Sequence, residues 1–175
     1  MTAVSDLEVV QKETVGKMYY YKYPIEGEAG EFIHIATTRP ETMFGDTAVA
    51  VSKDNEKLKH LIGKNAVLPI VNRLIPIIAD DHADPEKGTG AVKITPAHDF
   101  NDFEVGRRHN LPMINILNPD ATLNENTPFA GMDTQTARQK TIEKMTELGL
   151  MEKIEDHPMV IPYGDRSGVV IEPLM

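Results

Sequence analysis

The stretch Gly88–Gly106, GTGAVKITPAHDFNDFEVG, constrains this chain more than any other. Two glycines around one small residue, Gly88-Thr89-Gly90, mark a tight turn or a close approach by another molecule's backbone. Ala91 to Thr95 alternates as a short strand. Pro96 stops that strand, and Asp99-Phe100-Asn101-Asp102 reads as the entrance of a helix. Because the glycine pair precedes a strand rather than a helix, it lacks the context of a dinucleotide-binding turn.

The flanking sequence supplies short elements. Residues 15–25 and 31–38 read as two strands around the turn at 26–30, with Phe32, His34 and Ala36 on one face and Ile33, Ile35 and Thr37 on the other. Thr38-Arg39-Pro40-Glu41 has the form of a helix capping box, with Pro40 suited to the first turn. Residues 47–51 form a further strand. Residues 54–62 read as a helix with Leu58, Leu61 and Ile62 on one face and Gly63 as its stop. Residues 67–71 and 74–79 form a hairpin about Asn72-Arg73, and its prolines, Pro69 and Pro76, belong on edges. Residues 112–117 are strand-like, and 118–133 form a long polar turn region. Residues 134–148 make the clearest helix, with Ile142, Met145 and Leu148 as a stripe. Strands at 159–161 and 169–171 close the chain. Many short strands, two or three helices and no regular βαβ alternation indicate an α+β fold, mostly antiparallel, with a barrel-like core and a few surrounding helices.

At 175 residues, with 41% hydrophobic and 26% charged residues, the sequence suits one soluble domain. It contains no cysteine, which excludes disulfides, thiolate metal sites and a Cys–His nucleophile. No apolar run is long enough to span a membrane, the start lacks a secretory pattern, and a cytoplasmic location is expected. A net charge of −9 argues against a broad basic nucleic-acid surface but not against a pocket for the end of a strand.

Several residues carry candidate chemistry, each beside a plainer reading. Asp99 and Asp102, three apart, suit an N-cap and a first-turn acid, or a carboxylate pair that binds an ammonium group. Arg39 offers five donors in a plane, and with Thr37, Thr38 and Thr42 around it suits a ligand carrying sugar or phosphate. Lys93 and Thr95 share one strand face, either a solvated face or the wall of the same pocket. His82 with Asp80, Asp81 and Asp84, and His98 with Asp99, raise a metal site, but no specific ligand spacing supports one. Tyr19-Tyr20-Tyr21 reads as strand packing rather than a stacking platform.

Three segments together, ATTRPETMFGDTAVAV (36–51), the Gly88–Gly106 stretch and YGDRSGVVIEP (163–173), resemble the editing domain of bacterial valyl-tRNA synthetases. The resemblance runs in order over nearly the whole chain. It implies a single editing domain over residues 1–175, with residues 1–14 and 163–175 as ribbons leading to a synthetic core. It also implies hydrolysis of threonine mischarged onto the tRNA for valine, since a valine pocket, as is known of these synthetases, rejects isosteric threonine poorly. On this resemblance Asp99 and Thr42 take catalytic roles, Asp99 holding the substrate's α-ammonium. Thr38, Arg39, Lys93, Thr95 and Asp102 bind the terminal adenosine and aminoacyl group, with Asp102 and Lys93 favoured as readers of the threonine hydroxyl. No cofactor and no metal are expected. The partners implied are the tRNA 3′ end carrying threonine and the rest of a synthetase, the chain acting as a monomer. Three other readings compete: leucyl or isoleucyl editing specificity, a non-catalytic module that positions the tRNA acceptor end, and a metal-dependent hydrolase.

Overall fold

The computed structural model describes residues 9–164, with side chains from residue 16 to residue 158. Strand β1 (Val9–Pro24) turns through residues 26–30 into β2 (Phe32–Thr37), antiparallel to it with Tyr21 opposite Ile35. The expected alternation holds: Ile33 and Ile35 are fully buried while His34 faces water. Tyr19 and Tyr21 point into the core, as strand packing requires, and Tyr21 stacks on Tyr23. On the other side of β1 lies β7 (Met151–Gly164), which starts eight residues before the strand expected at 159–161. The strand expected at 169–171 lies outside the described residues.

The second sheet has the order β4 (Asn65–Leu68), β5 (Arg73–Ala79), β3 (Ala48–Val51), β6 (Ala91–Ile94). All its pairings are antiparallel except β3 with β5. Strand β3 is buried on both faces. Val49 and Val51 join the main core, whereas Ala48 and Ala50 meet Ile94 and Val105 of helix α1 (Phe100–Arg108). Pro76 sits where the missing N–H costs nothing, at the last residue paired with β4 and just before pairing with β3 begins at Ile77.

The barrel-like core is not what forms. Two open sheets meet at a single bridge between Ile25 and Ala66, and no ladder closes them among the described residues. Pro69 and the left-handed Ile70 (φ 72°) end β4 at Leu68, leaving it too short to reach round.

Two expected elements are also absent. Residues 54–62 form turns and one 3₁₀ turn (Lys59–Leu61), because the Asn55 side chain accepts from the N–H groups of Lys57 and Leu58, in competition with the helical ladder. Residues 112–117 do not form a strand. The Asn115 side chain bonds both the N–H and the C=O of Leu117, and Asn124 and Asn126 cap the Asn115 carbonyl, so amide side chains replace a neighbouring strand. Helix α2 (Thr134–Glu147) forms as expected, with Asp133 as N-cap and left-handed Gly149 just past its end. Its buried stripe is Ala137, Thr141 and Met145, while Leu148 lies in solvent.

Candidate active site

Where β6 ends, the chain turns through Pro96-Ala97-His98, closed by the His98 N–H on the Thr95 carbonyl, and enters α1. Asp99 is the N-cap: its Oδ1 accepts from the N–H of Asn101 at 2.8 Å and of Asp102 at 3.0 Å. Its Oδ2 takes no hydrogen bond from the described residues. Gly106, about two helical turns further on, lets α1 lie against the corner. A Cβ built there would stand 2.9 Å from Pro96 Cβ and Cγ. At the other end of β6, Gly90 (φ 81°) makes the turn ahead of the strand, where a Cβ would meet the Asn55 amide at 2.6 Å.

Facing this corner is the segment after β2. The 3₁₀ helix Pro40–Gly45 has Pro40 at its first position, but the capping box does not form. The Arg39 N–H is taken by Thr37 Oγ1 at 3.0 Å, and Glu41 turns away to Arg138 of α2. Arg39 instead reaches across to the corner, donating from Nη1 to the His98 carbonyl at 3.2 Å.

Between corner and segment lies a cavity of about 320 Å³. All seven residues expected from the sequence, Thr38, Arg39, Thr42, Lys93, Thr95, Asp99 and Asp102, line it, and Met18, His82, His98 and Asn101 complete much of the wall. Its floor is a buried polar network. Lys93 Nζ lies 2.7 Å from Asp46 Oδ1, 2.7 Å from Thr95 Oγ1 and 3.0 Å from Thr42 Oγ1. Asp46, with no exposure, also accepts from Thr95 Oγ1 and from the Tyr23 hydroxyl. Burial raises the Asp46 carboxyl above its ordinary value, against the pull of Lys93 and these two hydroxyls. Of the two readings of Lys93 and Thr95, the pocket wall is the one that forms, and it is buried because Asp46 supplies the counter-charge that lets an ammonium leave water.

Asp102 is not merely a first-turn acid. It is buried, its Oδ2 accepts from the Thr95 N–H at 2.9 Å, and its Oδ1 lies 3.3 Å from His82 Nε2. Burial, reinforced by the charge of Asp99, pushes its carboxyl up to about 6. His98 is buried too, with Nε2 accepting from the Ile116 N–H, which places its proton on Nδ1. Burial and the nearby Arg39 and Lys93 hold it down to about 4, so it stays a neutral ring. Among the described residues no group of three or more His, Asp or Glu side chains converges to hold a metal ion. Asp80, one of the residues raised for a metal, pairs with Arg108 and His109.

Sequence reasoning passed over Asp46 and Tyr23. Asp46 follows Gly45 at the end of the 3₁₀ helix, a position that reads as an ordinary polar turn residue. Its one signal was its place within the 36–51 run.

The sequence profile of the family described as "Leucyl-tRNA synthetase, editing domain" matches residues 53–157. The chain belongs to this editing-domain family. Among curated relatives, the valine–tRNA ligase of Mesorhizobium japonicum is 52% identical over 100% of this chain and 22% of its own length. That of Streptococcus pyogenes serotype M1 is 56% identical over 98% of this chain and 20% of its own. The Lactococcus lactis ligase is 55% identical over 99% of this chain and 20% of its own. The chain thus spans about a fifth of the length of the relatives it matches. Among solved structures, the agnB2 LeuRS of Agrobacterium radiobacter K84, in a ternary complex with tRNA and LeuAMS, superposes with a TM-score of 0.62. That match has 19% identity, covers 85% of this chain and 20% of the LeuRS chain, and bears on the fold alone. An editing-domain fold with valine–tRNA ligase relatives is the frame in which the cavity is to be understood. No helix among the described residues is long and apolar enough to cross a membrane.

Proposed function

We propose that this chain hydrolyses the ester joining threonine to the 3′ end of the tRNA for valine, as the proofreading part of a longer synthetase. The observation that carries this reading is the cavity itself. Two carboxylates, Asp99 and Asp102, stand at its helix-entrance wall, hydroxyls and an ammonium form its floor, and Arg39 stands opposite. Carboxylates suit the α-ammonium of an aminoacyl ester. The guanidinium, with Thr38 beside it, suits the terminal ribose or phosphate. Identities of 52–56% to valine–tRNA ligases favour valyl over leucyl or isoleucyl specificity.

In this reading water attacks the ester carbonyl, the bond to the ribose oxygen breaks, and that oxygen leaves with a proton as the tRNA hydroxyl. Free threonine is released. The acyl group is already activated by its ester, so positioning and electrostatic stabilisation account for most of the rate and no strong general base is needed. Asp99 is well placed to hold the ammonium: its cap bonds both fall on Oδ1 and fix the side chain, with Oδ2 left for the ligand. Thr42, whose hydroxyl is part of the cavity floor, is the second catalytic candidate. No metal or cofactor takes part.

The pairing of β1 with β7 sets Val9 opposite Gly164. That geometry suits a domain joined to its synthetase by a two-stranded ribbon, and the ribbon assignment of residues 1–14 and 163–175 is part of the same proposal. The test is deacylation of threonyl- and valyl-tRNA for valine by this chain, with and without Asp99→Ala. Rapid loss of threonine alone, abolished by the replacement, is expected. Equal rates on both esters, or an unimpaired Asp99→Ala variant, would overturn the reading, and binding of the tRNA end with no hydrolysis would favour a positioning module.

A further inference from the structure

We propose that the rings of Phe100 and Phe103, on the outer face of α1 at the cavity rim, are a stacking platform for the unpaired nucleotide that precedes the terminal adenosine of the tRNA. The inference rests on the reading above that the cavity takes the acylated end of a tRNA.

Helix α1 has two opposite faces. Asp102, Val105 and Gly106 are buried against the corner. Residues 100, 103, 104 and 107 share the other face, since positions three, four and seven apart fall on one side of a helix. Among the described residues no large apolar side chain is more exposed than Phe100, at 67%. Phe103, one turn further on, is 37% exposed, whereas Phe44 and Phe129 are buried and Phe32 packs against the core. A ring left in water forgoes the burial that normally stabilises it. Two such rings on one face need a partner.

Their place says what covers them. Asp99 and Asn101, on either side of Phe100 in the chain, both line the cavity, so the Phe100 ring stands at its rim. At about 320 Å³ the cavity has the size of one small ligand, and the rest of a nucleic acid must leave across that rim. Arg39, the group suited to a phosphate, donates from Nη1 to the His98 carbonyl, two residues before Phe100. Guanidinium and ring therefore meet at one corner, as a phosphate and the base next to it do along a single strand.

The local charges favour a base over a phosphate on the rings themselves. Asp99 is acidic, and the Arg107 guanidinium is held by Glu104 through Nε and Nη2. A chain of net charge −9 offers the RNA backbone little attraction, but the face of a base stacks on an aromatic ring without a counter-charge. Every base has such a face, so this contact adds affinity without reading sequence.

The experiment compares the threonyl ester of adenosine with that of the CCA trinucleotide, in the wild-type chain, in Phe100→Ala and in Phe100→Trp. The wild type is expected to favour the trinucleotide in kcat/KM by about fivefold or more, the scale of one stacked base. That preference is expected to collapse in Phe100→Ala, with the loss falling on the trinucleotide ester through KM, and to persist in Phe100→Trp. A preference that survives in Phe100→Ala, or an equal loss on both esters, overturns the proposal. So does an intact preference combined with a lower Tm for Phe100→Ala in the longer synthetase, which would give the rings to a protein neighbour. If the wild-type chain hydrolyses neither ester, the functional reading falls instead. Binding of unacylated CCA then decides the stacking: weaker binding to Phe100→Ala by the same factor is expected, and equal affinity overturns it.

Discussion

Arg138 and Glu41, 97 residues apart in the chain, meet edge to edge, with Nε on Oε1 at 2.8 Å and Nη2 on Oε2 at 2.9 Å. Glu41 is 1% exposed. The pair ties α2 to the 3₁₀ helix that carries Thr42, so a helix remote from the cavity holds one of its walls. Removing Arg138 leaves a buried carboxylate without its partner. Arg138→Met is expected to cost about 3–5 kcal/mol in urea unfolding, and Glu41→Gln/Arg138→Met to recover most of that loss. Equal destabilisation of single and double variants would show that the pair does not act as a unit.

Asp99 has two roles that substitution can separate. Asp99→Asn keeps a side-chain oxygen for the cap and removes the charge, whereas Asp99→Ala removes both. The asparagine variant is expected to unfold close to wild type but lose about 10- to 100-fold in kcat/KM for threonyl ester, the scale of a lost charged hydrogen bond. The alanine variant is expected to lose about 1 kcal/mol of stability as well. Wild-type kinetics in Asp99→Asn would reduce the residue to a helix cap.

The carboxyl of Asp102, pushed up by burial to about 6, gives the activity a pH signature. As an acceptor for the substrate it must be ionised. Enzymatic deacylation, corrected for spontaneous ester hydrolysis, is expected to rise with pH through a midpoint at about 6 before levelling off, and to lose that midpoint in Asp102→Asn. A flat profile through this range would remove Asp102 from substrate contact.

Stability carries a second pH signature, in which two groups oppose each other. Asp102 has its folded value raised from 3.8 to about 6, so the folded state binds more protons in between and its contribution is lost as pH rises through that range. His98 has its folded value lowered from 6.5 to about 4, so the unfolded state binds more protons and stability is lost as pH falls. Each effect amounts to at most about 3 kcal/mol. Relative to wild type, stability from pH 4 to 6 is expected to climb more steeply in Asp102→Asn and to fall in His98→Gln. Denaturant midpoints measured across that range decide it, and parallel curves would refute both assignments.

Gly106→Ala tests the corner. The added Cβ would stand 2.9 Å from two atoms of the rigid Pro96 ring, so α1 must shift, and overpacking of this kind costs about 1–3 kcal/mol. Both stability and the rate on threonyl ester are expected to fall, since Asp99 and Asp102 ride on α1. An alanine variant as stable and active as wild type would mean that the corner yields freely.

Local chemistry was legible in the sequence wherever one residue type settles the backbone. Pro96 ended β6, Asp99 capped its helix, and Gly149 stood at a left-handed stop. The cavity's lining was legible for the same reason, being carried by two short segments with strong punctuation. What escaped depended on partners far along the chain. The 54–62 segment has helical spacing but yields to Asn55, Leu148 has the right period but the wrong side of α2, and closure of the sheets depended on how far β4 extends. Asp46 was hidden in the same way. A carboxylate after a glycine looks like a turn residue until Lys93 and Tyr23 arrive from strands 47 and 23 residues distant to meet it.

The buried floor joins Tyr23 of β1, Asp46, and Lys93 and Thr95 at the end of β6, so it belongs at once to the cavity and to the structural core. Mutational drift therefore meets the two halves of the cavity differently. Changes in the floor weaken the fold together with the chemistry and are removed by unfolding and proteolysis. Changes at the more exposed positions, Thr38, Arg39 and Asp99, can leave an intact protein that no longer discriminates. A population of stable but error-tolerant variants should accordingly carry its lesions at that upper edge, with Asp46 and Tyr23 nearly always preserved.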